Sequence, residues 1–380
     1  MALRDQAPTK RGIIITAVIA VVAILVGSAA PPLVVLFLKL LPNDVQVDYT
    51  MTSESASVLD IRALLDDDEA RLIDGPATIE RTSATSKTDK FMETNVDSDL
   101  SVSINGDVVT ELVDYQRLNR DSAFPVVEPV AHQSLTVPAL GDATVDTPPH
   151  TREGLRYFFP FATERRSYQF SDEIVPETVP LDYVDPVERH GLRTYKFHTQ
   201  LPTTQLFQEE SLSTGEAVAQ QFGLSAAEAT TFDDYLTGPA QEFFSPEEME
   251  QFSYTENQLV TMAPYYTAER IFFIEPKSGI VLDEYNAVHI YLAANNPQAR
   301  EMAEQGLFNP TRTVFSGDFA LDQASQEAQL DRARPIVNQL RALQVVSLFA
   351  NVITFLALAA LIYQIVRRRI ARSRALTDEQ

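Results

Sequence analysis

The five histidines, His132, His150, His190, His198 and His289, are the side chains most able to hold a metal or move a proton near neutral pH, and they are scattered singly. No H-E-x-x-H pair or other metal-ligand spacing occurs, so each reads as an ordinary surface or sheet histidine. The run Asp66-Asp67-Asp68-Glu69 has the charge for a divalent cation. It lacks the glycine and the alternating ligands of a calcium loop, which leaves a solvated acidic turn. A nucleophile elbow, a phosphate-binding loop and a dinucleotide fingerprint are all missing. The absence of cysteine removes thiolate metal sites and thiol nucleophiles, and it fits an exported bacterial domain that does not rely on disulfides. Two carboxylates acting as acid and base on a glycosidic bond could be drawn from the many acids present, and spacing does not select them. The reading is therefore of a protein that is not an enzyme and that carries no metal and no cofactor.

Aromatic residues, by contrast, are clustered. Tyr157-Phe158-Phe159-Pro160-Phe161, Tyr168 with Phe170, Phe243-Phe244, Tyr265-Tyr266 and Phe272-Phe273 place rings on adjacent or nearby positions. On a strand, adjacent rings face opposite sides, and one side then needs a destination other than water. Two destinations are open: a solid core with a covering layer, or a sheet curled round an apolar cavity sized for acyl chains. The candidate cavity residues are Phe158, Phe159, Phe161, Tyr168, Phe272 and Phe273. Alternation gives Phe159 and Phe161 one face and Phe158 the other, with Pro160 a place for a kink or bulge.

The elements that must position these rings read mostly as strands. Residues 45–51 alternate, as do residues 192–198. Residues 100–104 lead through Asn105-Gly106 into 107–112, a strong hairpin signal. Residues 270–274 and 280–285 flank the five-residue loop 275–279 as a second hairpin. With 22 prolines placed mostly at strand ends, this predicts a mainly β (α+β) fold, an elongated antiparallel barrel-like sheet that closes. Between 215 and 251 the pattern turns helical, with Ser225 and Ser245 as N-caps, and two or three short helices are expected there.

Two apolar spans bracket this domain. Residues 13–41 follow Lys10-Arg11, and residues 343–366 contain no charge and precede Arg367-Arg368-Arg369. A bilayer core of about 30 Å needs about 20 apolar residues, so each can cross. A signal peptide cut at Gly27-Ser28-Ala29-Ala30 is disfavoured by Pro31 just beyond it and by the apolar run that follows. One straight helix over 13–41 would be too long for the bilayer, so Pro31-Pro32 are expected to end or kink it, leaving an interfacial segment with Lys39 snorkelling. The flanking bases, Arg372 and Arg374 among them, predict both termini in the cytoplasm and a two-pass inner-membrane protein. The expected segments are 1–12 cytoplasmic, 13–41 spanning, 42–320 extracytoplasmic, 321–342 a helix kinked at Pro335, 343–366 spanning, and 367–380 a basic tail. Setting aside the terminal segments leaves 50 acids against 21 bases, a net of −29, which makes nucleic acid an unsuitable partner.

The run Arg152-Glu153-Gly154-Leu155 through Phe159-Pro160-Phe161, with Thr163-Glu164 and Tyr168, resembles the signature of an actinobacterial envelope family, the porin PorA family. The later Arg270 to Gly279 hairpin, reading Glu275-Pro276-Lys277-Ser278-Gly279-Ile280-Val281, resembles its second hallmark, with Gly191-Leu192 and Tyr195-Lys196-Phe197 between them. The resemblance implies an inner-membrane protein with an elongated extracytoplasmic β-barrel enclosing cavities and a role in maturing lipomannan and lipoarabinomannan. It is similar in plan to the class B scavenger receptors, which bind and pass lipids. The implied partners are a lipid or a phosphatidylinositol-mannoside-type lipoglycan intermediate, the bilayer itself and, as further candidates, membrane glycosyltransferases. Outer-membrane barrels cross with strands of about 10 residues, whereas this chain offers helical spans, and two helices cannot enclose a pore. The expected function is a non-enzymatic lipid or lipoglycan binder; a glycan-processing enzyme and a transferase scaffold are the alternatives.

Overall fold

The computed structural model describes residues 9–66, 70–141, 143–175, 177–209 and 211–377, with backbone alone for 372 and 374–377. Asp67, Asp68 and Glu69 of the acidic run, and the side chains of Arg372 and Arg374, lie outside that description. The chain divides into two compact units, residues 1–40 with 334–380, and residues 41–333.

In the first unit the helix α1 (Lys10–Ile24) starts at Thr9, whose hydroxyl accepts from the Gly12 N–H. It passes through a π-helical turn, Leu25–Ala29, into α2 (Ala30–Leu38), so of the two outcomes expected at Pro31-Pro32, an end or a kink, the end does not occur. A proline ring clashes with the carbonyl four residues back and cannot donate to it. The π turn widens the backbone at those residues, and the helix runs unbroken over 29 residues. The second long helix, Gln323–Thr377 (α9 below), carries Pro335 inside it and stays helical on both sides of that residue.

The second unit is built on one sheet. Its strands are β1 (Gln46–Leu59), β2 (Leu72–Lys87), β3 (Glu93–Ile104), β4 (Asp107–Asn119), β5 (His132–Thr136), β6 (Thr144–Asp146), β7 (Tyr168–Phe170), β8 (Val179–Arg189) and β9 (Leu192–Gln200). They continue with β10 (Thr204–Gln205), β11 (Thr237–Pro239), β12 (Leu259–Thr261), β13 (Ala263–Glu275), β14 (Ile280–Ala293) and β15 (Thr313–Leu321). The order is β6-β5-β4-β3-β2-β1-β15-β14-β13-β9-β8-β7, with β10 on β13 and β11-β12 apart. One meander runs outward from β1 to the β6 edge, and a second returns from the β7 edge to β15. The strands joined in sequence to the two long helices, β1 and β15, are thus neighbours.

The ladders are antiparallel, as expected, but the two edges do not pair with one another among the described residues, so the predicted closure is corrected to an open sheet. Short edge strands explain this: β6 and β7 have three residues each, too few to zip a seam. The Asn105-Gly106 hairpin forms with both residues at positive φ, 55° and 89°, the tight turn their side chains permit. The helical insertion contains α4 (Thr214–Phe222), α5 (Ala226–Leu236), α6 (Ala240–Phe243) and α7 (Pro246–Phe252), after the short α3 (Ile61–Leu65) and before α8 (Asn296–Gln305) and α9 (Gln323–Thr377). Ser213, Ser225 and Ser245 each head a capping box with a glutamate three residues on, so both predicted caps are in place. A buried pair, Arg312 bound bidentately by Glu248 and also donating to the Phe243 carbonyl, fastens α7 to the chain before β15.

Candidate functional site

β6 and β7 are opposite edges of the sheet and neighbours in sequence, so the segment 147–167 must travel from one edge to the other. It does so across one face, as a strap. Its residues are too irregular for a strand, because Pro148, Pro149 and Pro160 withhold backbone donors and Ala162 sits at φ 59°. Backbone bonds at Thr147, His150, Leu155 and Ala162 hold it at intervals, and side chains supply the attachment between them. Arg152, Leu155, Arg156, Tyr157 and Phe159 are all buried. At the far end the strap meets the β13–β14 hairpin, where Gly279 has φ 73° and any Cβ there would collide with the carbonyl oxygens of Phe159 and Pro160. The two sequence hallmarks therefore touch.

Beneath the strap lies a network of four arginines and four carboxylates. Arg152 grips Asp114 of β4 with two bonds of 2.7 and 2.8 Å, and Tyr157 donates to the same carboxylate at 2.8 Å. Arg156 lies 3.5 Å from Asp114 and 3.7 Å from Glu173. Arg270 of β13 donates to Asp172 at 2.6 Å and to Glu173 at 2.7 Å, and Tyr266 donates to Asp172 at 3.2 Å. Arg81 of β2 lies 3.5 Å from Glu284 of β14 and stacks over Tyr49 at 4.7 Å. Four positive and four negative charges balance, and none of the eight side chains is more than 11% exposed.

This network reports the curvature of the sheet. Asp114 and Arg270 sit on strands six steps apart in the order, about 29 Å along a flat sheet at ~4.8 Å per strand. Only Arg156 and Glu173 span the gap between them. The sheet must therefore curl so that its two halves face each other, which is the barrel-like part of the sequence expectation without the seam.

Electrostatics follows from the pairing. Burial pushes the Glu173 carboxyl up, but Arg270, Arg156 and Arg81 outweigh it and bring it from 4.5 down to about 2. Burial likewise opposes ionisation of Asp114, and Arg156 and Arg152 reverse it, so that carboxyl is also lowered. Burial raises the Tyr49 hydroxyl to about 12 and pushes Tyr157 and Tyr266 up as well. At neutral pH Glu173 and Asp114 stay charged and the phenols of Tyr49, Tyr157 and Tyr266 stay neutral. Such groups clamp; a general acid needs the opposite shift.

The aromatic candidates divide around this network. Phe159 meets Phe272 at 5.7 Å and Phe197 at 6.4 Å, Tyr168 meets Phe197 at 5.8 Å, and Phe170 meets Phe272 at 5.5 Å. The structure thus brings together Phe159, Tyr168 and Phe272. Phe158 is half-buried between this layer and the Val96, Leu118, Tyr157 cluster. Phe161 is half-buried outside it, so the expectation that Phe159 and Phe161 share a face fails, because 157–161 is not a strand and strand alternation does not apply. Phe273 takes the opposite face from Phe272, as alternation requires, with the Arg189 guanidinium 4.1 Å above its ring. Phe170 and Phe197 stand in the sequence motifs but not among the candidate cavity residues, and the pairing of the ionic set was not foreseen. A signal existed for Asp114, a charged residue on the inward register of a strand whose other inward members are Leu112, Gln116 and Leu118.

The helix pair holds the second candidate region. On α9 the less exposed positions 340, 343, 347, 350, 354, 357, 361 and 364 recur at alternating steps of three and four, the spacing of a two-helix seam. Small residues face it from the first helix: Ala20, Ala23 and Gly27 are buried. The Gly27 carbonyl, four residues before Pro31 and so deprived of its helical donor, accepts from the Ser347 hydroxyl at 2.5 Å. Gln364 donates to Thr16 at 3.1 Å and Ser28 to Asn351 at 3.2 Å. Towards the other end the seam opens into a cleft of about 250 Å³ lined by Pro31, Val35, Leu340, Leu343, Gln344 and Ser347.

The family described as Porin PorA matches residues 14–363. A Porin PorA of Corynebacterium resistens is 26% identical over 298 residues, covering 70% of this chain and 69% of that protein. A Porin PorA of Corynebacterium amycolatum is 23% identical over 232 residues, covering 60% of this chain and 57% of that protein. The chain belongs to the Porin PorA family and is a membrane protein of the cell envelope.

Proposed function

We propose that this Porin PorA family member is anchored in the inner membrane by its two helices and binds a lipid or lipoglycan intermediate in its β unit, assisting lipomannan and lipoarabinomannan maturation or envelope lipid transport. Both termini are then cytoplasmic and the β unit extracytoplasmic, as the basic flanks favour. One observation carries the reading: an aromatic layer on the inner face of a curled, unsealed sheet, covered by an irregular strap that backbone bonds hold only at intervals. An acyl chain entering between strap and sheet gains about 0.8 kcal/mol per buried methylene with no charged contact. That suits a domain of net charge −29. A pore through the sheet is disfavoured, since its inner face is occupied by rings and ion pairs. Carboxylate catalysis is disfavoured at Glu173 and Asp114, which their arginines hold ionised.

The test is mass spectrometry of the full chain extracted from its own membranes. A stoichiometric phospholipid or mannosylated lipid that survives detergent exchange supports the binder. Turnover of lipomannan that disappears on changing one carboxylate would replace it with the enzyme reading.

A further inference from the structure

The half-buried positions of the first helix change step at its π turn. Up to and into it, 13, 16, 20, 23 and 27 alternate three and four, matching α9; after it the less exposed positions are 30, 31, 35, 38 and 39, among which the row 31, 35, 39 steps by four. Pro31 leaves the Gly27 carbonyl without its helical donor, and past that point this row drifts from the α9 seam. At Gly27 they touch so closely that a Cβ would lie 3.0 Å from that of Ala350, whereas one turn further on the cleft begins. From Ser347 to Leu340 it extends about 10 Å along the axis at 1.5 Å per residue, about two thirds of the ~15 Å hydrocarbon depth of one leaflet. Its walls are Pro31, Val35, Leu340 and Leu343.

The open end of the cleft is basic. Lys39 continues the 31, 35 row of the first helix by one more turn, and Arg341 lies one turn from Gln344 on α9. Neither makes an ion pair or side-chain hydrogen bond among the described residues. No acid occurs in 10–41 or in 335–366, so nothing within those segments neutralises them. Two unpaired bases beside an apolar slot match a phosphate attached to an acyl chain, with the Gln344 amide at the height of an ester carbonyl.

We infer that this intramembrane cleft holds one acyl chain of an anionic membrane phospholipid, with its headgroup phosphate bound by Lys39 and Arg341. The proposal is separate from lipid binding by the β unit and rests only on the helix pair being in a bilayer. The test uses the full chain in nanodiscs of phosphatidylglycerol mixed with phosphatidylcholine, released for native mass spectrometry. One retained phosphatidylglycerol per chain is expected, preferred about tenfold over phosphatidylcholine. K39Q with R341Q should abolish the preference, and V35W or L343W, from opposite walls, should abolish retention; a folded state confirmed for either tryptophan variant suffices. The inference is overturned by no retention in the unaltered chain, by retention that both filled variants keep, by equal affinity for the two lipids, or by a dimer that V35W dissolves, which would make a second copy the occupant.

Discussion

The strap network and the helix seam both bury polar groups, and they do so with opposite chemistry. Under the strap the groups are full charges, four of each sign, gathered from β2, β4, β13, β14, the strap itself and Asp172-Glu173 just after β7. In the seam they are hydroxyls, amides and one orphaned carbonyl, with no ion pair among the described residues. The difference follows from what surrounds them. A curled sheet can ring a guanidinium with carboxylates from several strands, so the desolvation of each ion is offset by several partners. Two helices in lipid can offer a polar group only the facing helix, where a charge would be costly and a serine or glutamine is tolerated.

Breaking the first region should therefore cost far more than breaking the second. Arg270→Ala leaves Asp172 and Glu173 buried without their principal partner, and a loss of about 3–5 kcal/mol is expected in chemical denaturation. A loss below about 1 kcal/mol would mean that water reaches the network.

Acid should act on the same region with a somewhat smaller effect. The folded value of Glu173, about 2, lies below its ordinary 4.5, so its stabilisation is complete above pH 4.5 and is lost as the pH falls towards 2. The lowered Asp114 adds to the loss in the same direction. The difference in stability between the unaltered chain and Glu173→Gln, followed from pH 6 to pH 3, should shrink; a constant difference would remove the linkage.

In the seam, Ser347→Ala deletes one neutral bond to the Gly27 carbonyl, and about 0.6 kcal/mol is expected for the helix pair. A loss as large as that of Arg270→Ala would erase the contrast between the regions.

What was legible in the sequence was local. Asn105-Gly106, Ser225 and Ser245 encode their turn and caps within four residues, and the two apolar spans declare themselves by composition. The π turn was not legible, because Pro31-Pro32 prescribe only that a straight helix must yield and not how. The network was hidden for a different reason: its partners are 38 residues apart at Arg152 and Asp114 and 98 apart at Arg270 and Asp172. Of its strand residues only Asp114 stands out by register, among the inward Leu112, Gln116 and Leu118. The hallmark segments contain Arg152 and Arg270, but their clustered aromatic neighbours are the stronger local signal. Of those neighbours, Phe159, Tyr168 and Phe272 converge, and the rest scatter because the strap is irregular.

The central claim is that a lipid chain occupies the space between strap and sheet, and Phe158 is the ring placed to test it, half-buried at the margin of the aromatic layer. Transfer of a fluorescent phosphatidylinositol between vesicles, catalysed by the full chain, is the direct measurement. The account predicts saturable transfer that Phe158→Trp blocks while the melting temperature stays nearly constant, and that V35W leaves intact. Transfer no faster than with empty vesicles, or equal transfer by the Phe158→Trp variant, would contradict it.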